Sequence, residues 1–223
     1  MLLPTAQKFP IQPIIDQIQS LAPSKRFDLN KPSGKFFNDP WINLFPNTPL
    51  GDVLNSLGNI GQARLLTLDS AESYTAHTDP DDRYHLAITT NPYCYLIDLS
   101  NSELYHLPVD GHVVLMDTSR THVAANYGAT PRIHLNIRLL LPHYNPSRPG
   151  VHFKVVDGGF GWKQDSYIDI MGLINRGIKT GIIYGFEAPN DRELFVNCDS
   201  PVIFNDVVSN IRDRGVTLEV SIK

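Results

Sequence analysis

Histidines and carboxylates carry the first chemical signal. All eight histidines lie between His77 and His152. Within that stretch His77-Thr78-Asp79 places an imidazole and a carboxylate two residues apart. On an extended chain, residues i and i+2 point to the same face, so a ring nitrogen and a carboxylate oxygen can converge on one cation. His122, opening a later apolar run after Asp117-Thr118-Ser119, is the candidate third ligand. Two histidines and one carboxylate on one face of an octahedron leave three positions open. That set suits non-haem Fe(II), which has to accept a co-substrate and O2 together. Closed zinc sites use four ligands and usually more sulfur. HxD tripeptides are common, and the competing reading is a hydrogen-bonded loop histidine with a turn-forming aspartate before Pro80.

Arg132 lies ten residues after His122, across a predicted hairpin turn at Tyr127-Gly128-Ala129-Thr130. A hairpin symmetric about Tyr127 would oppose positions 122 and 132, with Cβ atoms roughly 5 Å apart. A guanidinium there would sit just beyond the metal, where the far carboxylate of a chelating five-carbon dicarboxylate ends, and its planar fork matches a carboxylate. Arg132, His134, Asn136 and Arg138 alternate with Ile133, Leu135, Ile137 and Leu139, giving one polar and one apolar face. Arg132 is read as functional and Arg138 as a solvent-facing position of an amphipathic strand. Arg83 and His85 form a second i, i+2 pair. They are either two further donors to the same dicarboxylate or a surface arginine beside a core histidine. Tyr74 is read as a packing residue.

Seven short strand-like runs would position these groups. They are Ala63–Leu68, Tyr84–Thr89, Tyr93–Leu99, Glu103–Leu107, His112–Met116, His122–Asn126 and Arg132–Leu140. Their spacing without helices between them predicts an all-β sandwich or barrel. The first sixty residues read as irregular, with one helix at Ile14–Leu21 before Pro23. Phe36, Phe37, Trp41, Leu44 and Phe45 lie in a wrapping segment there. Pro142–Pro149 reads as a linker. Beyond it Val151–Asp157, Ser166–Ile178, Gly181–Phe186, Leu194–Asn197, Val202–Ile211 and Val216–Ile222 give the order βαββαβ, the ferredoxin-like pattern. The expected organisation is a β domain over residues 1–148 and a small α+β domain over 149–223.

The chain has 223 residues, a net charge of -4, 42% hydrophobic and 19% charged residues. These are ordinary globular values, and a nucleic-acid binder would show a basic excess. From Gly150 onward eight Lys and Arg face ten Asp and Glu. Two cysteines, Cys94 and Cys198, make no CxxC pattern, which argues against a disulfide scaffold and for a reducing, cytoplasmic setting. No signal peptide and no membrane span is read, since no apolar stretch approaches the ~18 residues required. Asp157-Gly158-Gly159-Phe160-Gly161 lacks the Lys-Ser/Thr of a phosphate loop and reads as a turn.

Taken together, Ala63-Arg64-Leu65-Leu66, His77-Thr78-Asp79, Arg83-Tyr84-His85-Leu86, Asp117…His122 and Arg132-Ile133-His134-Leu135 resemble the aspartyl/asparaginyl β-hydroxylase family. That family belongs to the 2-oxoglutarate/Fe(II) dioxygenases, and the resemblance spans roughly Gln62 to Leu141. It implies a double-stranded β-helix (jelly-roll, cupin-like) fold. It also implies hydroxylation of an unactivated C–H with conversion of 2-oxoglutarate and O2 to succinate and CO2. By this resemblance His77 and His122 bind Fe(II), and Asp79 supplies the carboxylate, where the animal aspartyl hydroxylase has Gly. Arg132 binds the 2-oxoglutarate C5 carboxylate, with Arg83 and His85 also touching the co-substrate. Asp117 matches a family carboxylate near the metal and, with Asp79 present, is placed behind the ligands. The partner is then a small-molecule or peptide substrate, an amino acid or a peptidyl Asp, Asn or Pro.

Two other readings compete. A cupin-type metal enzyme without 2-oxoglutarate would normally bring an HxH pair, a Glu and a later His, a pattern absent here, and would leave Arg132 unexplained. A non-catalytic binding or interaction protein on the same barrel would have no need of the triad together with Arg132.

Overall fold

The segment before residue 60 is far more regular than its prolines and asparagines suggest. It forms strand β1 (Leu2–Lys8), helix α1 (Ile11–Leu21), short strands β2 (Arg26–Asp28), β3 (Asn30–Pro32) and β4 (Trp41–Asn43), and helix α2 (Pro49–Leu57). This is a computed structural model, and it describes residues 2–34, 39–79, 81–142, 144–157, 166–190 and 192–222. Phe36, Phe37, Pro80 and the Gly158–Gly161 stretch lie outside the described residues. Helix α1 buries Ile14 and Ile18 and stops at Ala22, which takes a left-handed φ of 44° just before Pro23. In α2 the Thr48 hydroxyl accepts from Gly51 N at 3.2 Å and Pro49 occupies the first turn, both standard helix starts.

Eight strands follow: β5 (Ile60–Leu68), β6 (Glu72–Ser73), β7 (Arg83–Thr89), β8 (Cys94–Asp98), β9 (Glu103–Tyr105), β10 (His112–Met116), β11 (His122–Asn126) and β12 (Arg132–Leu139). The fold is mainly β, with antiparallel sheets. One sheet has the order β1-β10-β7-β12-β5-β2 and the other β6-β11-β8-β9. Ala63 and Leu65 of β5, Leu86 and Ile88 of β7, and Leu135 and Ile137 of β12 turn to the face covered by α1 and α2. The alternate residues face the second sheet. A small apolar layer of Leu68, Ala87, Met116, Leu96 and Ala124 joins the two sheets there. The rest of that inner face is polar.

Two expectations are corrected by this arrangement. Residues 122–126 and 132–139 do not form a hairpin. β11 pairs with β6 and β8, β12 pairs with β5 and β7, and Arg132 stands opposite Leu68. The intervening Tyr127–Pro131 segment is a corner crossing between sheets. Asn126, fully buried, holds it. Its Nδ2 lies within 3.0 Å of the Leu68, Asp69 and Thr130 carbonyls, and its Oδ1 accepts from Gly128 N and Asn91 Nδ2. A side chain that satisfies the corner's backbone makes a sheet-to-sheet jump compatible with burial. Arg138, in turn, does not face water. It is 3% exposed, and its Nε donates to Asp81 Oδ2. Alternation separates two faces of a strand but does not say which of them a second layer will cover.

The chain then continues as β13 (Gly150–Asp157), α3 (Tyr167–Lys179), β14 (Ile183–Asn190), β15 (Glu193–Cys198), a 3-10 turn at Pro201–Phe204, α4 (Asn205–Asp213) and β16 (Thr217–Ile222). The predicted helix from Val202 therefore starts as a 3-10 turn. The sheet order is β14-β15-β13-β16, antiparallel throughout. Phe153, Ile170, Met171, Ile174, Phe186 and Ile211 pack into a core of their own. The predicted linker is tied to this sheet, since Asn197 Oδ1 accepts from Asn145 N at 2.6 Å and its Nδ2 donates to Asn145 O at 3.0 Å. Among the described residues no helix is long and apolar enough to cross a membrane.

Replacing Asn126 by Ala should strand several buried backbone groups at the corner and cost about 1–3 kcal/mol. Urea unfolding checks this, and an unchanged midpoint would show that the corner does not depend on Asn126.

Candidate metal centre

The backbone brings His77 and His122 face to face. His77 N donates to His122 O at 3.1 Å and His122 N to His77 O at 2.9 Å, a single antiparallel bridge. Such a mutually bonded pair fixes the Cα separation and the side-chain directions. Asp79, two residues on, has its N–H on Thr118 O at 3.0 Å. The ligand atoms of His77, Asp79 and His122 all lie within 4.8 Å of one another.

The tautomers are set from behind. His77 Nδ1 is 2.8 Å from Thr75 O, and His122 Nδ1 is 2.9 Å from Arg120 O. A carbonyl only accepts, so each Nδ1 carries a proton, and in the neutral ring the lone pair lies on Nε2. Both Nε2 atoms stand 3.7 Å from the same oxygen, Asp79 Oδ2. With both rings neutral, two lone pairs and an anionic oxygen converge there. Three acceptors in that geometry call for a cation. Nδ1 bonding to a carbonyl is also the usual way a protein orients a metal-ligating imidazole. The donor set fits a divalent transition metal with open positions, Fe(II) included.

Behind the triad lies a buried ion network. Arg83 Nη2 is 2.9 Å from Asp79 Oδ1, and its Nε is 2.7 Å from Asp81 Oδ1. Asp81 is fully buried and also meets Arg138 at 2.5 Å. Burial alone would raise the Asp79 carboxyl, but Arg83, the nearest cation, leads the interactions that outweigh it and hold it below the usual carboxylate range. Burial, opposed only in part by Asp79, pushes His122 down.

The three residues open on a cavity of about 450 Å³ between the two sheets, which Arg132, His85, Asn136, Arg64 and Tyr74 also line. Arg132 is 3% exposed. Among the described residues it has no carboxylate partner. Its Nη2 donates to His134 Nδ1 at 2.8 Å, while Nε and Nη1 have no acceptor. Burial lowers its pKa to about 10. His85 and His134 are pushed well below the ordinary histidine range, first by burial and then by Arg132. Both are neutral acceptors, His85 Nε2 taking Asn136 Nδ2 at 3.1 Å and His134 Nδ1 taking Arg132. Their remaining nitrogens, His85 Nδ1 and His134 Nε2, are buried without a partner. Unmatched donors around a buried guanidinium make an anion site.

The structure thus brings His77, Asp79, His122, Arg132, Arg83 and His85 to one cavity. Arg83 is neither a surface residue nor free, because Asp79 and Asp81 occupy its guanidinium. Asp117 stays outside the three-residue cluster. It accepts from Ser119 and Lys179, which lower its carboxyl against the opposing effect of burial. Tyr74 lines the cavity mouth and is 36% exposed. Sequence reasoning missed Asp81, the hub between two arginines, and Asn175 of α3, which is 2% exposed and donates to Asp79 O. A buried asparagine among Ile170, Met171 and Ile174 of a helix is the signal that could have found the latter.

Residues 42–142 match the aspartyl/asparaginyl β-hydroxylase family, so His77, Asp79, His122, Arg83 and Arg132 all fall inside the matched segment. No curated protein matches this chain. Among solved structures, a crystal structure of a Pseudomonas putida prolyl-4-hydroxylase is similar at 11% identity and a TM-score of 0.42. That likeness covers 61% of this chain and 90% of that one.

The neutral histidines predict a pH dependence of the metal-free fold. Unfolded histidine takes up a proton near pH 6.5, whereas His85, His134 and His122 resist it when folded. Their stabilising contribution is therefore complete above about pH 6.5. It falls as pH drops below that, by up to about 1.4 kcal/mol per pH unit for each group. Urea unfolding at about pH 7.5 and 5.5 should show the loss, and His134→Gln should flatten it by about one proton. A pH-independent midpoint over that window would contradict the neutral assignment.

Proposed function

We propose that this chain is a 2-oxoglutarate- and Fe(II)-dependent dioxygenase that hydroxylates an unactivated C–H of an amino acid, a peptidyl Asp, Asn or Pro, or a small metabolite. The observation that carries the reading is one cavity with two features. Two imidazole lone pairs and a carboxylate converge at one end, and a buried, carboxylate-free Arg132 stands in the same space. The match of residues 42–142 supports the hydroxylase class. The two facing sheets and their polar interior are read as a double-stranded β-helix over residues 1–148. The β14-β15-β13-β16 order is read as a ferredoxin-like unit over 149–223. Two buried free cysteines accord with a reducing, cytoplasmic setting.

In this proposal His77, Asp79 and His122 hold Fe(II). The bound iron supplies O2 activation coupled to oxidative decarboxylation of 2-oxoglutarate, which no side chain can provide. The chain's own residues do the rest. Arg83 keeps Asp79 ionised and fixes its rotation. The Thr75 and Arg120 carbonyls, each accepting from an Nδ1–H, leave Nε2 as the nitrogen that faces a metal. Arg132 takes the distal carboxylate of the co-substrate in a bidentate grip, and its bond to His134 aims the fork. His85, held neutral by burial and by Arg132, offers its unpartnered Nδ1–H as a further donor. The apolar wall of Leu96, Met116 and Ala124 limits water around the reacting carbon.

Anaerobic titration of 2-oxoglutarate into the Fe(II)-loaded protein tests this. A weak visible charge-transfer band should grow in. His77→Ala should lose the metal, and Arg132→Ala should weaken 2-oxoglutarate binding roughly 30-fold or more, from the 2–5 kcal/mol that truncating a buried charged partner costs. If wild-type protein binds Fe(II) but not 2-oxoglutarate, the site belongs to another class of metal enzyme.

A further inference from the structure

Helix α3 lies outside the family match and does not line the main cavity, yet its side chains end on the two loops that carry the ligand set. Asn175 points Nδ2 at the Asp79 carbonyl (3.1 Å), Asp82 Oδ1 (3.2 Å) and Thr118 Oγ1 (3.3 Å). Arg176 Nη1 donates to Ser119 O at 3.2 Å. Lys179 Nζ bridges Asp82 Oδ1 at 2.8 Å and Asp117 Oδ1 at 2.5 Å. Gly172 permits this approach, since a Cβ there would meet Ser119 O at 3.3 Å and Thr78 Oγ1 at 3.4 Å.

The two loops are also joined to each other through Thr118. It accepts from Asp79 N, donates its hydroxyl to Asp81 O at 2.5 Å and its N–H to Asp82 Oδ1 at 3.3 Å. His77 and His122 are fixed by their own backbone bridge. Asp79 is not in that bridge. Its backbone is held by Thr118 O at its N–H and by Asn175 at its carbonyl. Partners that orient a ligand control metal affinity even when they never touch the metal.

We propose that α3 is a clamp that positions Asp79, with Asn175 as the positioning residue and Lys179 as its second anchor. Metal affinity at the His77, Asp79, His122 set then depends on the C-terminal segment. The inference rests on the metal reading of that set. If the helix were merely stabilising, removing its contacts would lower the melting temperature of the metal-free protein without changing its metal affinity once folded. A clamp changes the affinity itself.

The test is titration of Co(II), a spectroscopically visible substitute for Fe(II), into full-length metal-free protein well below its melting transition. The comparison is wild type against Asn175→Ala, Asn175→Asp, Asn175→Gln and Lys179→Met. Melting of each metal-free protein is recorded alongside. Asn175→Ala and Asn175→Asp, which remove the donor, should raise the Co(II) Kd about tenfold or more. Asn175→Gln, which keeps an amide, should recover part of the loss, and Lys179→Met should weaken binding to a smaller degree. Folded Asn175 variants with the wild-type Kd overturn the clamp. If the Asn175 variants fail to fold, Lys179→Met decides by the same comparison, because Lys179 is one-third exposed. Wild-type protein that binds no Co(II) overturns the metal reading, and the clamp with it.

Discussion

One backbone bridge organises this site. The reciprocal hydrogen bonds between His77 and His122 bring two imidazoles to 4.4 Å between ring centroids. Carbonyls behind each ring then decide which nitrogen carries the proton. What remains in front is a set of acceptors with nothing to donate to them. Without a cation this is a repulsive arrangement, and the chain sustains it only because each imidazole is anchored through its other nitrogen and Asp79 through Arg83. The interaction that stabilises the apo site is thus the one that prepares it for a metal.

The charge around it is arranged to the same end. Asp79 and Asp81 are matched by Arg83 and Arg138, a balanced group of four of which all but Asp79 are buried. Buried ion pairs survive only when each charge is satisfied, since removing one partner leaves the other uncompensated. Arg132 adds a buried positive charge with no carboxylate partner among the described residues, and the neutral His85 and His134 add none. A divalent cation would add two more positive charges, and a doubly charged dicarboxylate would offset them. Under the proposed function the metal and the co-substrate compensate each other. The metal attracts the dianion more strongly than Arg132 alone could, and Arg132 sets which way the dianion lies.

Much of this was legible in the sequence because the relevant physics is local. The i, i+2 spacing of His77 and Asp79 needs only an extended chain, and the alternation through Arg132, His134, Asn136 and Arg138 needs only a strand. The pairing partners were not legible. Arg132 reaches the cavity from the opposite sheet and not from a hairpin with His122, because the corner after Asn126 is stabilised by side-chain bonds that no turn motif announces. Strand alternation alone places Arg138 in solvent because it cannot see a second layer or the loop carrying Asp81. The early helix α2 was hidden by Pro49 and Gly51, residues that usually break helices but here sit in its first turn. Asn175 was out of reach for a different reason. Its partners lie more than 50 residues away in sequence, and nothing in a helix pattern says where its polar position will land.

The C-terminal segment meets the β layers with polar groups although it has an apolar core of its own. Ile170, Met171 and Ile174 turn inward to that core, while Asn175, Arg176 and Lys179 reach out to the ligand loops. An apolar seam would hold the two parts together more strongly but would not discriminate between nearby registers, because burial is non-directional. Hydrogen bonds to particular carbonyls and carboxylates add only about 1 kcal/mol each, but they are lost if the helix shifts by a fraction of a turn. The contact therefore contributes more to where the loops sit than to how stable the chain is. A metal site needs that kind of constraint. Its ligands are held in a geometry that repels until the cation arrives, and fixing them costs more when the loop that carries Asp79 has only backbone to restrain it.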